Sequence, residues 1–339
     1  MADEEISIVG VGCRFPGADN LREYWRVLKN GENHVKEVPR DRWNHDAFYD
    51  SDIDAPGKTF VRTAGFLESI EEWDHRFHGI NEVEAELVDP QQRIVLDCVH
   101  MALEDGGLTK KDIDGTNTGV YIGSMTDDYI NFVLDDNSVS STYSVTGTHN
   151  SVISARVSYA YNLLGPAMTL DTACSSSLVT VDVASQALIT GRCSMCICGG
   201  VNIIMDPQLF IALSKARMLS PSGQCKTFTK DADGYARGEG CGIVILKKLT
   251  DAVKDGNKIW GTIKCGTNQD GHMVTPITAP SEVQQIKLIN DLYERHNVEK
   301  QKIQVIEAHG MLYLSQLFNV FSQDASMFKI VIFGQACCC

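Results

Sequence analysis

GPAMTLDTACSSSLVTVDVASQALITG (165–191) is the stretch whose reading decides the fold. Its opening, GPAMTLD (165–171), reads as a buried strand. The chain then turns through Thr172 and Ala173, and a helix begins at or near Cys174. Leu178, Val181, Ala184, Ala187 and Leu188 follow at helical spacing on one apolar face. A cysteine where a helix begins feels the positive end of the helix dipole and nearby backbone N–H groups. Both favour thiolate over thiol, so its pKa is expected to fall and its nucleophilicity to rise. The small neighbours Ala173, Ser175 and Ser176 leave room for a substrate. A lone cysteine is more often an inert buried side chain. The sharp strand-to-helix turn, which exposes a nucleophile above a sheet, favours the reactive reading.

Outward from this point the pattern repeats. ISIVGVG (6–12), TGVYIGSM (118–125), MCICGGVNIIM (195–205), GCGIVILKKL (240–249) and KIQVIEA (302–308) read as continuous apolar strands, and IWGTIKCGTNQDG (259–271) as a strand and a polar loop. NLREYWRVLKNG (20–31), DPQQRIVLDCVHMALEDGG (89–107) and SEVQQIKLINDLYERHNV (281–298) read as helices, the second with Pro90 in its first turn and Gly106 and Gly107 at its end. Helices alternating with strands that are apolar throughout imply an α/β protein whose sheets are covered on both faces.

Composition narrows the function. The chain has 339 residues, 43% hydrophobic and 22% charged, enough for one large or two medium domains. Its net charge of −14 argues against nucleic acid and anionic membranes as partners. The acidic start MADEEISIVGVG does not resemble a secretory or transit signal, and no run approaches the ~18 apolar residues of a spanning helix. A cytoplasmic protein is expected, with its twelve cysteines as thiols.

Thiol chemistry needs a partner, and His309 is the best placed: it follows a strand and precedes Gly310, where catalytic groups gather in α/β folds. His75 and His78 have ligand-like spacing without further ligands. Cys193, Cys196 and Cys198 form a C-x-x-C-x-C cluster without a second pair at zinc-site spacing, so they read as small apolar residues of a strand. GVGCRFPG (10–17) and RGEGCG (237–242) lack the remaining features of nucleotide-binding loops, which leaves tight-turn glycines as the favoured reading.

Taken together, VGVGCRFPGA (9–18), DPQQR (89–93), GPAMTLDTACSSSL (165–178), GGVN (199–202), DADGYARGEGCGIVILKKL (231–249), TNQDG (267–271) and EAHG (307–310) resemble, in order and spacing, the motifs of β-ketoacyl synthases of the polyketide synthase and animal fatty acid synthase type. The resemblance runs from about residue 6 to Gly310. It implies a thiolase-like layered α-β-α-β-α fold of two related halves: residues 4–250 as the nucleophile half and 257–310 as part of the second. The implied reaction is a decarboxylating Claisen condensation in fatty acid or polyketide biosynthesis. An acyl group passes from a phosphopantetheine thioester of an acyl carrier protein to Cys174. A malonyl-type extender then loses CO2, and its enolate attacks the cysteine thioester. The backbone N–H of Cys174 supplies an oxyanion donor, and His309 stabilises charge on the extender. A homodimer is implied, and no metal or redox cofactor. The acidic carrier would need a local basic patch.

The resemblance ends at Met311-Leu312-Tyr313, where the family has a Thr-Gly-Thr loop. Residues 311–339 are a tail unlike the family, and its second histidine, the preceding lysine and the loop completing the oxyanion hole have no counterpart. The chain therefore reads as a truncated gene product with an incomplete second half. Acylation of Cys174 is expected to outlast condensation. The alternative is a catalytically dead homologue acting as a dimerising or regulatory fragment. A cysteine hydrolase or a thiolase fits the surrounding motifs less well. The start at Met1 suggests the leading domain of a larger synthase, with an acyltransferase domain to follow.

Overall fold

A computed structural model describes residues 4–135, 141–226, 229–267, 281–307 and 330–332. The strands are β1 (Ile6–Arg14), β2 (Val35–Glu37), β3 (Thr63–Gly65), β4 (Thr118–Gly123), β5 (Ala167–Leu170), β6 (Met195–Asn202), β7 (Gly240–Lys248), β8 (Gly261–Ile263), β9 (Val305–Glu307) and β10 (Ile330–Ile332). The helices are α1 (Leu21–Asn30), α2 (Glu82–Ala85), α3 (Pro90–Asp105), α4 (Lys110–Ile113), α5 (Asp128–Asp135), α6 (Ser144–Thr148), α7 (Asn150–Tyr161), α8 (Ser176–Ile189), α9 (Gln208–Lys215), α10 (Leu249–Lys254) and α11 (Glu282–Arg295).

Six strands form one mixed sheet in the order β5-β4-β6-β7-β1-β8. β4 runs parallel to β5 and β6, whereas β7 is antiparallel to both β6 and β1, and β8 is antiparallel to β1. Residues alternate between its faces, as the pleat requires. On one face Val120, Ile122, Ile197, Ile243 and Ile245 join Ile94, Val95 and Val99 of α3 in the larger core. On the other, Tyr121, Cys196, Cys198 and Leu246 meet Ala184, Ala187 and Leu188 of α8. This double cover explains why the strands are apolar throughout instead of alternating with polar residues. A parallel pair, β9 and β10, stands apart from the large sheet, with Val305 opposite Ile330.

Two sequence expectations change here. GPAMTLD was expected to be a buried strand, yet β5 is half-exposed, with Ala167 open to solvent. It is the last strand of the sheet and bonds only to β4 among the described residues, so one flank lacks cover. Gly10 and Gly12 were expected in tight turns, yet both lie inside β1. A Cβ on either would collide with the backbone of α3, at the Ala102 and Cys98 carbonyls. These glycines permit a close helix–strand approach. The turn glycine of this motif is Gly17, with φ 76°.

Candidate active site

The turn between β5 and α8 is built from its own side chains. Ala173 has φ 57°, a left-handed conformation that residues bearing a β-carbon rarely adopt. Four neighbours hold it. The Ala173 N–H donates to the Asp171 carboxylate at 2.8 Å. Thr172 N–H donates to Ser176 Oγ at 2.8 Å, and Ser176 Oγ donates to the Ala173 carbonyl at 2.6 Å. Ser175 Oγ donates to the Thr172 carbonyl at 2.8 Å. The small hydroxyl and carboxylate residues of DTACSSS thus satisfy the backbone of a strained turn. Cys174 is exposed at the top of this turn, and α8 starts two residues later with Ser175 as its N-cap.

Glycines on the sheet make room for that arrangement. Gly123 and Gly200 lie opposite each other at the ends of β4 and β6. A Cβ on Gly123 would fall 2.7 Å from the Ser176 carbonyl carbon and the Ser177 nitrogen, and one on Gly200 2.7 Å from Ser177 Cβ. The first turn of α8 therefore rests directly on the strand ends, and Cys174 opens into a cavity of about 320 Å³. Its lining includes Phe15, Ser124, Met125, Ser177, Val201 and Glu239. A volume of this size lies at the lower end of the range for small-molecule sites.

Two buried polar groups brace the cavity walls. The Glu239 side chain is fully buried. It accepts from Leu67 N–H at 2.9 Å and Ile204 N–H at 3.0 Å, and pairs with Arg42 Nη2 at 3.3 Å. Burial pushes its carboxyl above the ordinary range, against the pull of Arg42 and the two amides. Gln91, also buried, donates through Nε2 to the Thr126 carbonyl at 2.9 Å, while Ser124 Oγ donates to its Oε1 at 3.3 Å. The DPQQR motif thus holds the 124–126 segment at the cavity edge. Asp89 caps α3 by accepting from Gln91 N–H at 2.7 Å, and burial pushes its carboxyl up to about 6.

Of the two catalytic candidates of the sequence, the structure describes Cys174. Cys174 stands exposed beside the cavity. His309 lies outside the described residues. His78 Nε2 is 2.8 Å from Asp97 Oδ1 and its ring stacks on Trp73 at 5.7 Å, while His75 Nδ1 is 2.6 Å from the Ile80 carbonyl oxygen. Cys196 and Cys198 are buried on the α8 face of β6, and burial pushes both thiols well up, which keeps them unreactive. Cys225 is exposed as well, so exposure together with a place in the cavity lining is what singles out Cys174. Glu239, Gln91 and Phe15 lie within motifs quoted from the sequence but had no individual role there. The paired glycines at 199–200 and 238–242 were the available signal, since such residues mark close backbone approach.

Comparison with known proteins gives the family. The model of the β-ketoacyl synthase N-terminal domain matches residues 3–252, and that of the C-terminal domain residues 262–311. A highly reducing polyketide synthase of Aspergillus aculeatus is 44% identical over 312 residues, which cover 91% of this chain and 13% of that protein. Polyketide synthase PksL of Bacillus subtilis is 35% identical over 347 residues, 98% of this chain and 8% of that one. Among solved structures, the ketosynthase from module 6 of the Bacillus subtilis bacillaene synthase superposes with a TM-score of 0.87 at 37% identity, covering 97% of this chain and 57% of that one. An oxazolomycin ketosynthase domain of Streptomyces albus gives 0.90 at 34%, covering 97% and 58%. The chain therefore spans a small part of the curated relatives and little more than half of the solved ketosynthases.

Proposed function

Because this chain belongs to the β-ketoacyl synthase family, we propose that it carries the acyl-accepting step of a decarboxylating Claisen condensation in polyketide or fatty acid assembly. The exposed Cys174 at the strained β5–α8 turn, open to a cavity, is the observation that carries this reading. The sulfur attacks the carbonyl carbon of an acyl thioester. The C–S bond to the phosphopantetheine arm then breaks, and that thiol leaves with a proton. The backbone N–H of Cys174 stabilises the oxyanion formed on the way. In the second stage an extender thioester loses CO2 and its enolate carbon attacks the acyl-cysteine carbonyl, which returns the Cys174 thiol. His309 is assigned the stabilisation of charge on that extender. The carbanion comes from decarboxylation, so the chemistry needs neither metal nor redox cofactor.

The substrates of this reading arrive on an acyl carrier protein in the cytoplasm, and the active form is a homodimer. The half-exposed edge strand β5 supports the last point, together with two exposed apolar side chains, Tyr159 on α7, the helix that packs on β5, and Leu164 in the segment leading into β5. No helix among the described residues is long and apolar enough to cross a membrane. The test is transfer of a radiolabelled acyl group from an acyl-pantetheine thioester to purified protein. One label per chain is expected, and none with Cys174→Ala. Equal labelling of the variant would refute the assignment.

A further inference from the structure

Cys174 shares its cavity with three sizeable apolar side chains, Phe15, Met125 and Val201, among glycines, serines, an alanine and the braced Glu239. They differ in freedom. Met125 is 37% exposed and its thioether chain is flexible. Val201 is buried within β6 and offers little bulk. Phe15 is large and held from several directions. Its backbone exchanges two hydrogen bonds with Ala18, both at 2.8 Å, immediately after β1. The Tyr24 ring lies against it at 4.6 Å between centroids. Its own ring covers the first residues of β7. A Cβ on Gly240 would come within 2.5 Å of Phe15 Cδ1, and one on Gly242 within 3.3 Å of Phe15 Cζ. Gly240 also has φ 151°, outside the reach of ordinary side chains, so the strand is shaped to receive the ring.

We propose that Phe15 is a specificity-determining residue that limits the bulk of the group carried on Cys174. The proposal rests on the reading of Cys174 as the acyl acceptor and adds the wall that measures the acyl chain. A fixed ring cannot yield to a longer or branched substituent as Met125 can, and a pocket filled to its wall rejects extra methylenes steeply.

The test alkylates the full chain with iodoacetamide and, in parallel, with N-decyl iodoacetamide. In each case the sulfur forms an S–CH2 bond as the C–I bond breaks, iodide leaves and the thiol proton passes to buffer. Peptide mass mapping gives the rate ratio of the long reagent to the short one at Cys174. Cys225, exposed and outside the cavity lining, is the internal reference. Phe15→Ala is expected to raise the Cys174 ratio by about tenfold or more, with Phe15→Leu intermediate and Cys225 unchanged. If Phe15→Ala does not fold, Phe15→Leu carries the test. A Cys174 ratio within about twofold of the parent in the folded variants overturns the proposal, as does an equal rise at Cys225. Alkylation needs no acyl transfer. A shifted ratio without labelling by thioesters would therefore uphold the wall and reject the acyl-acceptor reading.

Discussion

Ala173 holds a left-handed backbone at φ 57° beside the Cys174 sulfur. A β-carbon in that conformation costs about 1 kcal/mol, which glycine does not incur. Ala173→Gly is therefore expected to stabilise the chain against urea by roughly 0.5–1 kcal/mol, while slowing acylation of Cys174 because the turn loses its fixed shape. A second residue-scale prediction concerns pH. Burial pushes the Asp89 carboxyl up to about 6 in the folded chain, from the 3.8 of a free aspartate. Between those values the folded chain binds more protons than the unfolded one. The buried carboxylate therefore withdraws stability as pH rises through this window, by an amount on the order of 2–3 kcal/mol. Asp89→Asn keeps an oxygen to cap α3 and removes the charge. Urea denaturation should show its stability relative to the parent growing from pH 4 to pH 6.5. A constant difference across that range would contradict the assignment. The sequence made the turn legible because an apolar run, two small residues and a helical period adjoin at 165–191. The bracing roles of Gln91 and Glu239 were not legible, because their partners lie far along the chain, as Thr126 does for Gln91 and Leu67 and Ile204 do for Glu239.

At the scale of elements, the site depends on how closely α8 approaches β4 and β6. A Cβ at Gly123 would sit 2.7 Å from the backbone of Ser176 and Ser177, and backbone cannot yield as a long side chain does. Gly123→Ala is expected to lower stability by about 2–3 kcal/mol and to displace the first turn of α8. Thermal melting reads the first effect and the iodoacetamide rate at Cys174, expected to fall, reads the second. An unchanged melting temperature would mean that the helix does not rest on the strands. Continuous apolar runs at β4, β6 and β7 announced a sheet covered on both faces. The same runs misled at β5, where AMTL is as apolar as an inner strand but occupies the edge. Position within a sheet is set by pairing with distant strands, which local pattern does not encode. Gly10 and Gly12 show a similar limit: a glycine records that space is scarce without recording what fills it.

For the molecule as a whole, the six-stranded sheet with α3 and α8 on its two faces forms a platform that brings Cys174 into the open beside a cavity and keeps Cys196 and Cys198 covered. The exposed flank at β5 leads to a prediction about assembly. Tyr159→Asp, which places a charge on the exposed side of the helix that packs on β5, should shift the proposed dimer toward monomer in sedimentation equilibrium, and a parent that is already monomeric at micromolar concentration would refute the dimer. The identity of the nucleophile is tested most directly by exposing the intact chain, with its twelve cysteines, to a substoichiometric acyl-pantetheine thioester and mapping the adduct by peptide mass. The account predicts acyl groups confined to the peptide that contains Cys174. Adducts shared with the exposed Cys225, or found there alone, would contradict it.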